Sequence, residues 1–253
     1  MKSLLWDYTS LAHAYAGRPP YADAVIDDLM SLAGVTAGDR VCDIGAGTGH
    51  LSVHLVGHGL EVDAVEPNDA MRGVGRERLA DAPVDWFEAR GEDTGRPSGA
   101  YPLVTFGSSF NVVDQQRALA EAARLLQRPG WVAMLWNHRD IDGDPLQTAI
   151  EAAIESRIPG YDYGYRRSDP SGDVEASGLF HAPRYLEATV RRDVDADEWV
   201  EAWRSHATLQ RQAGDQFERI VDEIGALVAQ AQEGQRIAVP YTTRCWAAEV
   251  KAP

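Results

Sequence analysis

Residues 41–50, "VCDIGAGTGH", place three glycines in five positions directly behind a short apolar run. A strand ending near Asp43, then Gly45-x-Gly47-x-Gly49, then a helical pattern sets backbone amides and a helix N-terminus beside a ligand, with no side chain to block its approach. Such a site suits an anionic or polar group. A dinucleotide fingerprint, G-x-G-x-x-G, needs its third glycine at position 50, which is His50, so the glycine comes one residue early. A P-loop fits worse, because Gly49 is followed by His50 and Leu51 rather than by Lys and Ser or Thr.

Outward from this loop, short apolar runs alternate with helical patterns from about residue 39 to 137, the signature of βαβ units and a parallel sheet. "RVCDIG" reads as the first strand and "HLSVHLVGHG" as the helix after it. "EVDAVEP" is a second strand closed by Pro67, followed by a helix over roughly 69–80 capped at Asn68 or Asp69. "VDWFEA" and "YPLVTFGSS" are the third and fourth strands. "DQQRALAEAARLLQ" is an amphipathic helix, and "GWVAMLWN" a fifth strand introduced by the Pro129-Gly130 turn. The fold class expected is α/β: a doubly wound, Rossmann-like, seven-stranded and mostly parallel sheet with helical cap or lid insertions, its ligand crevice at the carboxyl ends of the strands.

The remainder is less regular. Residues 145–158 read as helix, 159–183 as a Gly-, Pro-, Ser- and Tyr-rich loop, and about 195–209 and 213–232 as further helices. "RIAVPYTTRCWAAEV" reads as a terminal strand pair, or one strand broken at Pro240. The division expected is N-terminal lid helices over 1–38, with "AYAGRPPY" as the candidate lid, a ligand-binding core over 39–140, a substrate-binding cap with interspersed core elements over 141–235, and a C-terminal core strand over 236–253.

Composition narrows the function classes. A chain of 253 residues, 44% hydrophobic, buries a full core as one domain with a modest cap. A net charge of −15 with no basic run argues against a nucleic-acid partner. No stretch approaches the roughly 18 apolar residues of a membrane span, and the N-terminus lacks a signal-peptide pattern, so the cytoplasm is the expected location. Cys42 and Cys245 read as buried core thiols. His50, His54 and His58 recur every four residues, but no carboxylate lies between 50 and 58 and Leu51 stands where a zincin has glutamate, so no metal site is expected.

"VCDIGAGTGHL" followed by "EVDAVEPNDAM" resembles the first two motifs of class I S-adenosylmethionine (SAM) dependent methyltransferases. The resemblance continues through "ALAEAARLLQRPGWVAMLWNHRD" and covers roughly residues 8–139. More loosely, "WRSHATLQR" and "VPYTTRCW" resemble the small-molecule methyltransferases related to trans-aconitate methyltransferase. The resemblance implies SAM as cofactor, with S-adenosylhomocysteine as its product. Its carboxylate would meet the amides around Gly45, Ala46, Gly47 and Gly49, with Asp43 orienting the loop or binding the methionine ammonium. Glu66 would accept both ribose hydroxyls, and Pro67, Asn68 and Met71 would border the adenine. Gly91, with Glu92 or Asp93, would meet the adenine edge, and Gly107 and Ser108 would line the crevice. "YAGRPPY" resembles a segment of the subfamily that closes over the cofactor through Tyr15 and Arg18.

Methyl transfer from a sulfonium is an in-line displacement, so the protein mainly has to align the acceptor and exclude water; a base matters only if the acceptor is protonated. Where the subfamily commonly carries histidine and tryptophan after the fourth strand, this chain has Asn111 and Val112, and an amide cannot take a proton at neutral pH. His138 and His206 are the candidate bases elsewhere. Trp136, Tyr161, Tyr163, Tyr165, Phe180, Trp199 and Trp203, with Arg139, Arg166 and Arg167, supply aromatic walls and cations for an acceptor; Phe110, Trp136, Phe180 and Trp203 are the expected pocket residues. The function expected is methyl transfer to an oxygen or nitrogen of a small organic molecule, by a monomer or homodimer. Three rivals are a SAM-binding lyase or cyclase, a catalytically silent SAM-binding protein, and a nicotinamide-dependent oxidoreductase, the last weakened by the misplaced glycine.

Overall fold

The structure, a computed structural model, describes residue 9 and residues 12–141, 143–162 and 168–252. Tyr163, Tyr165, Arg166 and Arg167 lie outside the described residues. Among the described residues seven strands form one sheet: β1 (Arg40–Ile44), β2 (Glu61–Val65), β3 (Val84–Phe87), β4 (Tyr101–Gly107), β5 (Leu126–Arg139), β6 (Arg184–Asp195) and β7 (Arg236–Glu249). Their order is β3-β2-β1-β4-β5-β7-β6. β1 to β5 run parallel, and β7 runs antiparallel to both β5 and β6. This is the doubly wound α/β sheet expected from the alternation of strand and helix patterns.

Alternation along the strands sends successive side chains to opposite faces. Cys42, Ile44, Val104, Phe106, Val132 and Met134 join one core cluster with α5 (Gln115–Leu125) and α7 (Ser171–Ser177). Val41, Leu103, Ala133, Leu135 and Cys245 join the other with α2 (Asp23–Ala33) and α3 (His50–Gly57). Each fully buried leucine or isoleucine here contributes about 1.5–3 kcal/mol. α2 is therefore part of the sheet's packing through Val25, Ile26 and Leu29. Of the expected lid over 1–38, among the described residues α1 (Ala12–Ala16) and the turn after it stand clear of that role.

Caps set the helix starts. Asn68 accepts from the Met71 amide at 3.0 Å and begins α4 (Asp69–Arg78), and Asp114 caps α5 through the Arg117 amide. Asp144 caps α6 (Pro145–Arg157), with Pro145 in the first turn where its missing N–H costs nothing. α6, α8 (Ala196–Ala202) and α10 (Phe217–Ala231) pack Ile150, Ile154, Trp199, Ile220 and Ile224 against Ile237, Val239 and Tyr241 of β7, a third core beside the sheet.

Five details depart from the sequence reading. β5 starts immediately after α5 and runs through the Pro129-Gly130 pair, which does not introduce it. β7 is one strand through Pro240. In an antiparallel ladder a residue's nitrogen and carbonyl point to the same neighbour; the Pro240 carbonyl accepts from Asp140, just beyond the end of β5, so its missing N–H falls past the paired register. The helix expected over 195–209 is α8, a 3₁₀ turn at Trp203–Ser205, and α9 (Ala207–Ala213). The loop over 159–183 contains α7. β6 was not foreseen, because an edge strand with alternate charged residues reads as polar loop. Among the described residues no helix is long and apolar enough to cross a membrane.

Candidate active site

β1 and β4 are neighbours whose following connections go to opposite faces, so a crevice opens at their carboxyl ends. A cavity of about 1340 Å³ lies there, bordered by the β1–α3 loop, the ends of β2, β4 and β5, the turn after α1, and the α8–α9 segment. Gly45, Ala46 and Gly47 border it, but their amides are not free. Gly45 and Ala46 donate to the Val65 carbonyl at 2.8 and 3.1 Å, and Gly47 to Glu66 Oε2 at 2.9 Å. Gly49 donates to the Ala46 carbonyl. The expectation that these amides cradle a carboxylate is corrected: the glycines act by leaving side chains out. Gly45 has φ +68°, and a Cβ there would stand 2.4 Å from Ser109 Cβ, while Ser109 Oγ is tied to the Ile44 carbonyl. Gly49 does not border the cavity; a Cβ on it would meet Leu79 at 2.8 Å, so it serves packing.

Glu66, at the end of β2, is buried, and its two oxygens accept from the Gly47 and Asn68 amides at 2.9 and 2.8 Å. Burial raises its pKa, and those two amides pull it back. A carboxylate has about four acceptor positions, so two remain for hydroxyl donors from the cavity. Asp43 borders the cavity from beneath, with no exposed surface. Its oxygens accept from Ser52 Oγ at 2.7 Å and Thr105 Oγ1 at 2.9 Å, an arrangement that ties β1 to α3 and β4. Burial pushes it up to about 6 against those two bonds. Pro67, Asn68 and Met71 border the cavity below Glu66. Gly91 does so with a would-be Cβ 2.9 Å from Ile44, and Glu92 while accepting from the Asp114 amide. Asp93, paired with Arg90 through the backbone, does not border the cavity, so of the two carboxylates Glu92 is the one at the crevice. Gly107 and Ser108 border it too; Ser108 holds φ +56°, a strained value for a non-glycine residue, and its hydroxyl meets Tyr21 at 3.0 Å.

Across the top runs a strap. Arg18 lies over the Tyr15 ring at 4.2 Å and donates to the Ser205 carbonyl and Oγ at 3.0 and 3.3 Å, joining the N-terminal segment to the α8–α9 turn. His50 Nε2 donates to the Arg18 carbonyl at 2.8 Å, while Nδ1 accepts from Thr48 and Arg78. Burial lowers this histidine to about 4, so the ring is neutral at pH 7, as that pattern requires. His54 meets Asp23 at 3.2 Å and His58 meets Asp27 at 2.8 Å. The row of three histidines is a seam between α3 and the N-terminal segment. Asn137, which the sequence reading passed over, donates to the Pro19 and Pro20 carbonyls and accepts from Thr243.

The far half of the cavity is walled by Asn111, His138, Arg139, Trp199, Trp203, His206 and Tyr241. Asn111 Oδ1 accepts from Trp136 Nε1 at 3.1 Å, leaving its amide hydrogens as donors. His206 stacks on Trp203, and its Nδ1 accepts from the Leu209 amide at 3.4 Å, capping α9. Arg139 lies 4.2 Å over Trp203 and pairs with Glu151 and Gln147. Three expected pocket residues are not in the wall. Phe110 is fully buried edge-on to Phe106, and Trp136 is buried against Trp246, one layer behind Asn111. Phe180 is bridged to Val250, at the amino ends of the parallel strands and so at the opposite end of the sheet. Tyr241 was missed because only β7's register, which sets it opposite Arg139, brings it to the site.

A doubly wound sheet with a glycine loop, an acidic second strand end and a roofed cleft at the switch point defines a cofactor-binding α/β domain. Comparison with known proteins makes this specific. Residues 42–134 match the family described as methyltransferase domain. An uncharacterized methyltransferase of Mycobacterium tuberculosis strain H37Rv is 36% identical over 148 residues, 53% of this chain and 58% of that protein. The ubiquinone/menaquinone biosynthesis C-methyltransferase of Marinomonas sp. is 35% identical over 177 residues, 66% of this chain and 65% of that one. In fold, the chain is similar to a putative type II methyltransferase from Anaeromyxobacter dehalogenans, with a TM-score of 0.58 at 20% identity, covering 92% of this chain and 97% of that one. The chain thus spans a little under two thirds of the two sequence relatives' length. The match over residues 42–134, with these relatives, supports a class I SAM-dependent methyltransferase domain, and SAM is the cofactor such a domain takes.

Proposed function

We propose that this chain transfers a methyl group from SAM to an oxygen or nitrogen of a small organic molecule held in the far half of the cleft, in specialised biosynthesis or detoxification. The observation carrying this reading is that a single cavity joins the Glu66 end, with its side-chain-free glycine loop, to a wall of Trp199, Trp203, His206 and Tyr241. The cofactor fits on this chain's terms: Glu66 keeps lone pairs for hydroxyls, and Gly45 and Gly47 leave room beside Met71. When bound, SAM supplies an electrophilic methyl group on a sulfonium centre.

The chain's own residues then align and enclose. The strap through Tyr15, Arg18 and His50 roofs the cleft and limits water. Asn111 offers amide hydrogens to an acceptor oxygen. His138, at the carboxyl end of β5, is the better of the two base candidates, because a neutral His206 spends its Nδ1 lone pair on the Leu209 amide and carries its proton on Nε2. Residues 141–235 serve in this reading as the acceptor-binding cap, and the looser likeness to trans-aconitate methyltransferase relatives belongs to it as well.

A second reading is methyl transfer to carbon, supported by the Marinomonas relative's name as a C-methyltransferase. Calorimetric titration with SAM and S-adenosylhomocysteine, then mass spectrometry of small acceptors for a gain of one methyl group, tests the proposal. Micromolar binding of both and an O- or N-methyl product support it. A methyl group found on carbon selects the second reading, and failure of both ligands to bind overturns both.

A further inference from the structure

We propose that Tyr241 presents its phenolic proton to an oxygen of the methyl acceptor, with Trp199 fixing the direction of that proton. Trp199 Nε1 donates to the Tyr241 hydroxyl, and an indole nitrogen has a proton to give and no lone pair to receive one. The Tyr241 oxygen is therefore the acceptor in that pair, and its own proton must go elsewhere. Among the described residues none accepts it. Tyr241 is 5% exposed and borders the cavity, the space left to its unspent donor. Arg139, directly opposite in the β5–β7 register, cannot absorb the proton, because it is a donor only and is held by Glu151 and Gln147. Burial raises the pKa of Tyr241, with Trp199, Arg139 and Arg18 opposing, so the group remains a phenol and a donor at assay pH.

The bond goes to an oxygen other than the attacking atom, since a hydrogen bond to the attacking lone pair would blunt it. Tyr241 is thus a binding and orienting residue, whose loss raises KM more than it lowers kcat. The inference rests on the methyl-transfer reading for the presence of an acceptor. Its test needs no knowledge of the natural one. Acetophenone and α-methylstyrene have nearly the same shape and differ in a carbonyl oxygen against a methylene group. Their affinities for the wild-type chain saturated with S-adenosylhomocysteine, measured by ligand-observed NMR, give a ratio that Tyr241→Phe should lower at least tenfold, with α-methylstyrene binding unchanged. Trp199→Phe, which keeps the tyrosine but frees its rotor, should lower the ratio about threefold. An unchanged ratio in Tyr241→Phe, or no acetophenone binding to the wild type, overturns the inference. Calorimetric titration with S-adenosylhomocysteine separates the two ideas: absent cofactor binding removes the methyl-transfer reading, whereas the role of Tyr241 stands or falls on the ratio, then measured without S-adenosylhomocysteine.

Discussion

Two carboxylates at the strand ends spend their oxygens differently: Glu66 on loop amides beside the cavity, Asp43 on two buried hydroxyls. Glu66 is shared between the chain's own amides and the cleft, so Glu66→Ala should weaken SAM binding by about 1.5–3 kcal/mol, the range for hydrogen bonds to a charged group. Calorimetric titration checks this, and unchanged affinity in a folded variant would take Glu66 off the cofactor. Asp43 has a different signature. Its pKa is raised to about 6 by burial, so between about pH 4 and 6 the folded chain binds a proton that the unfolded chain has lost. Its contribution to stability is therefore most favourable at acid pH and declines as pH rises through that window. Relative to Asp43→Asn, the wild type should lose about 2 kcal/mol between pH 4 and 7, most of the free energy that separates a carboxyl held at about 6 from one at its ordinary value. Urea unfolding of both proteins across that range reads the difference; a constant gap would show that Asp43 stays ionised. Asp43 and Glu66 were both legible in the sequence as residues, because strand-end carboxylates flanking a glycine loop have few other uses. That Asp43 spends both oxygens on Ser52 and Thr105 was not legible, since those partners lie 9 and 62 residues away.

Among the elements, the β1–α3 loop is where local conformation and packing coincide. Gly45→Ala combines a left-handed backbone with a Cβ driven into Ser109, and should destabilise the chain by about 2–4 kcal/mol. Gly57→Ala, in the last turn of α3 with open space around it, should do the opposite and stabilise by about 0.5–1 kcal/mol. Urea midpoints at constant m-value decide both signs. The first five strands and the helices among them were legible because apolar periodicity and caps act over a few residues. Asn68 and Asp114 accept from amides three positions on, as their sequence contexts imply. β6 and α7 were illegible for the complementary reason. β6 is an edge strand whose partner β7 comes more than 40 residues later, and α7 is a two-turn helix that its docking on α5 stabilises more than its own propensity.

At the scale of the whole molecule, the cleft is closed by contacts between segments remote in sequence. Arg18 reaches Ser205 across 187 positions, and Asn137 reaches Pro19 and Pro20 across more than 110. Arg18→Ala should leave the sheet intact and loosen the strap. Amide exchange over residues 12–21 should quicken about tenfold, equivalent to about 1.4 kcal/mol, while global stability falls by less than that. Hydrogen-exchange mass spectrometry checks the first and urea unfolding the second; uniform acceleration throughout the chain would mean that the strap is part of the global core.

By itself the sequence determined the sheet class, the glycine loop, the acidic end of β2 and the cofactor they imply. Each is written in residues close together along the chain, where sterics, caps and periodicity act. Only the tertiary structure decided which aromatics face the cavity. Phe180 and Trp136 are as aromatic as Trp203, yet one lies at the far end of the sheet and the other a layer behind Asn111. Tyr241 enters the cleft through the register of an antiparallel strand from the end of the chain. Apolar burial rewards any aromatic that leaves water and is indifferent to direction, so composition cannot tell wall from core; strand pairing between distant segments makes that choice.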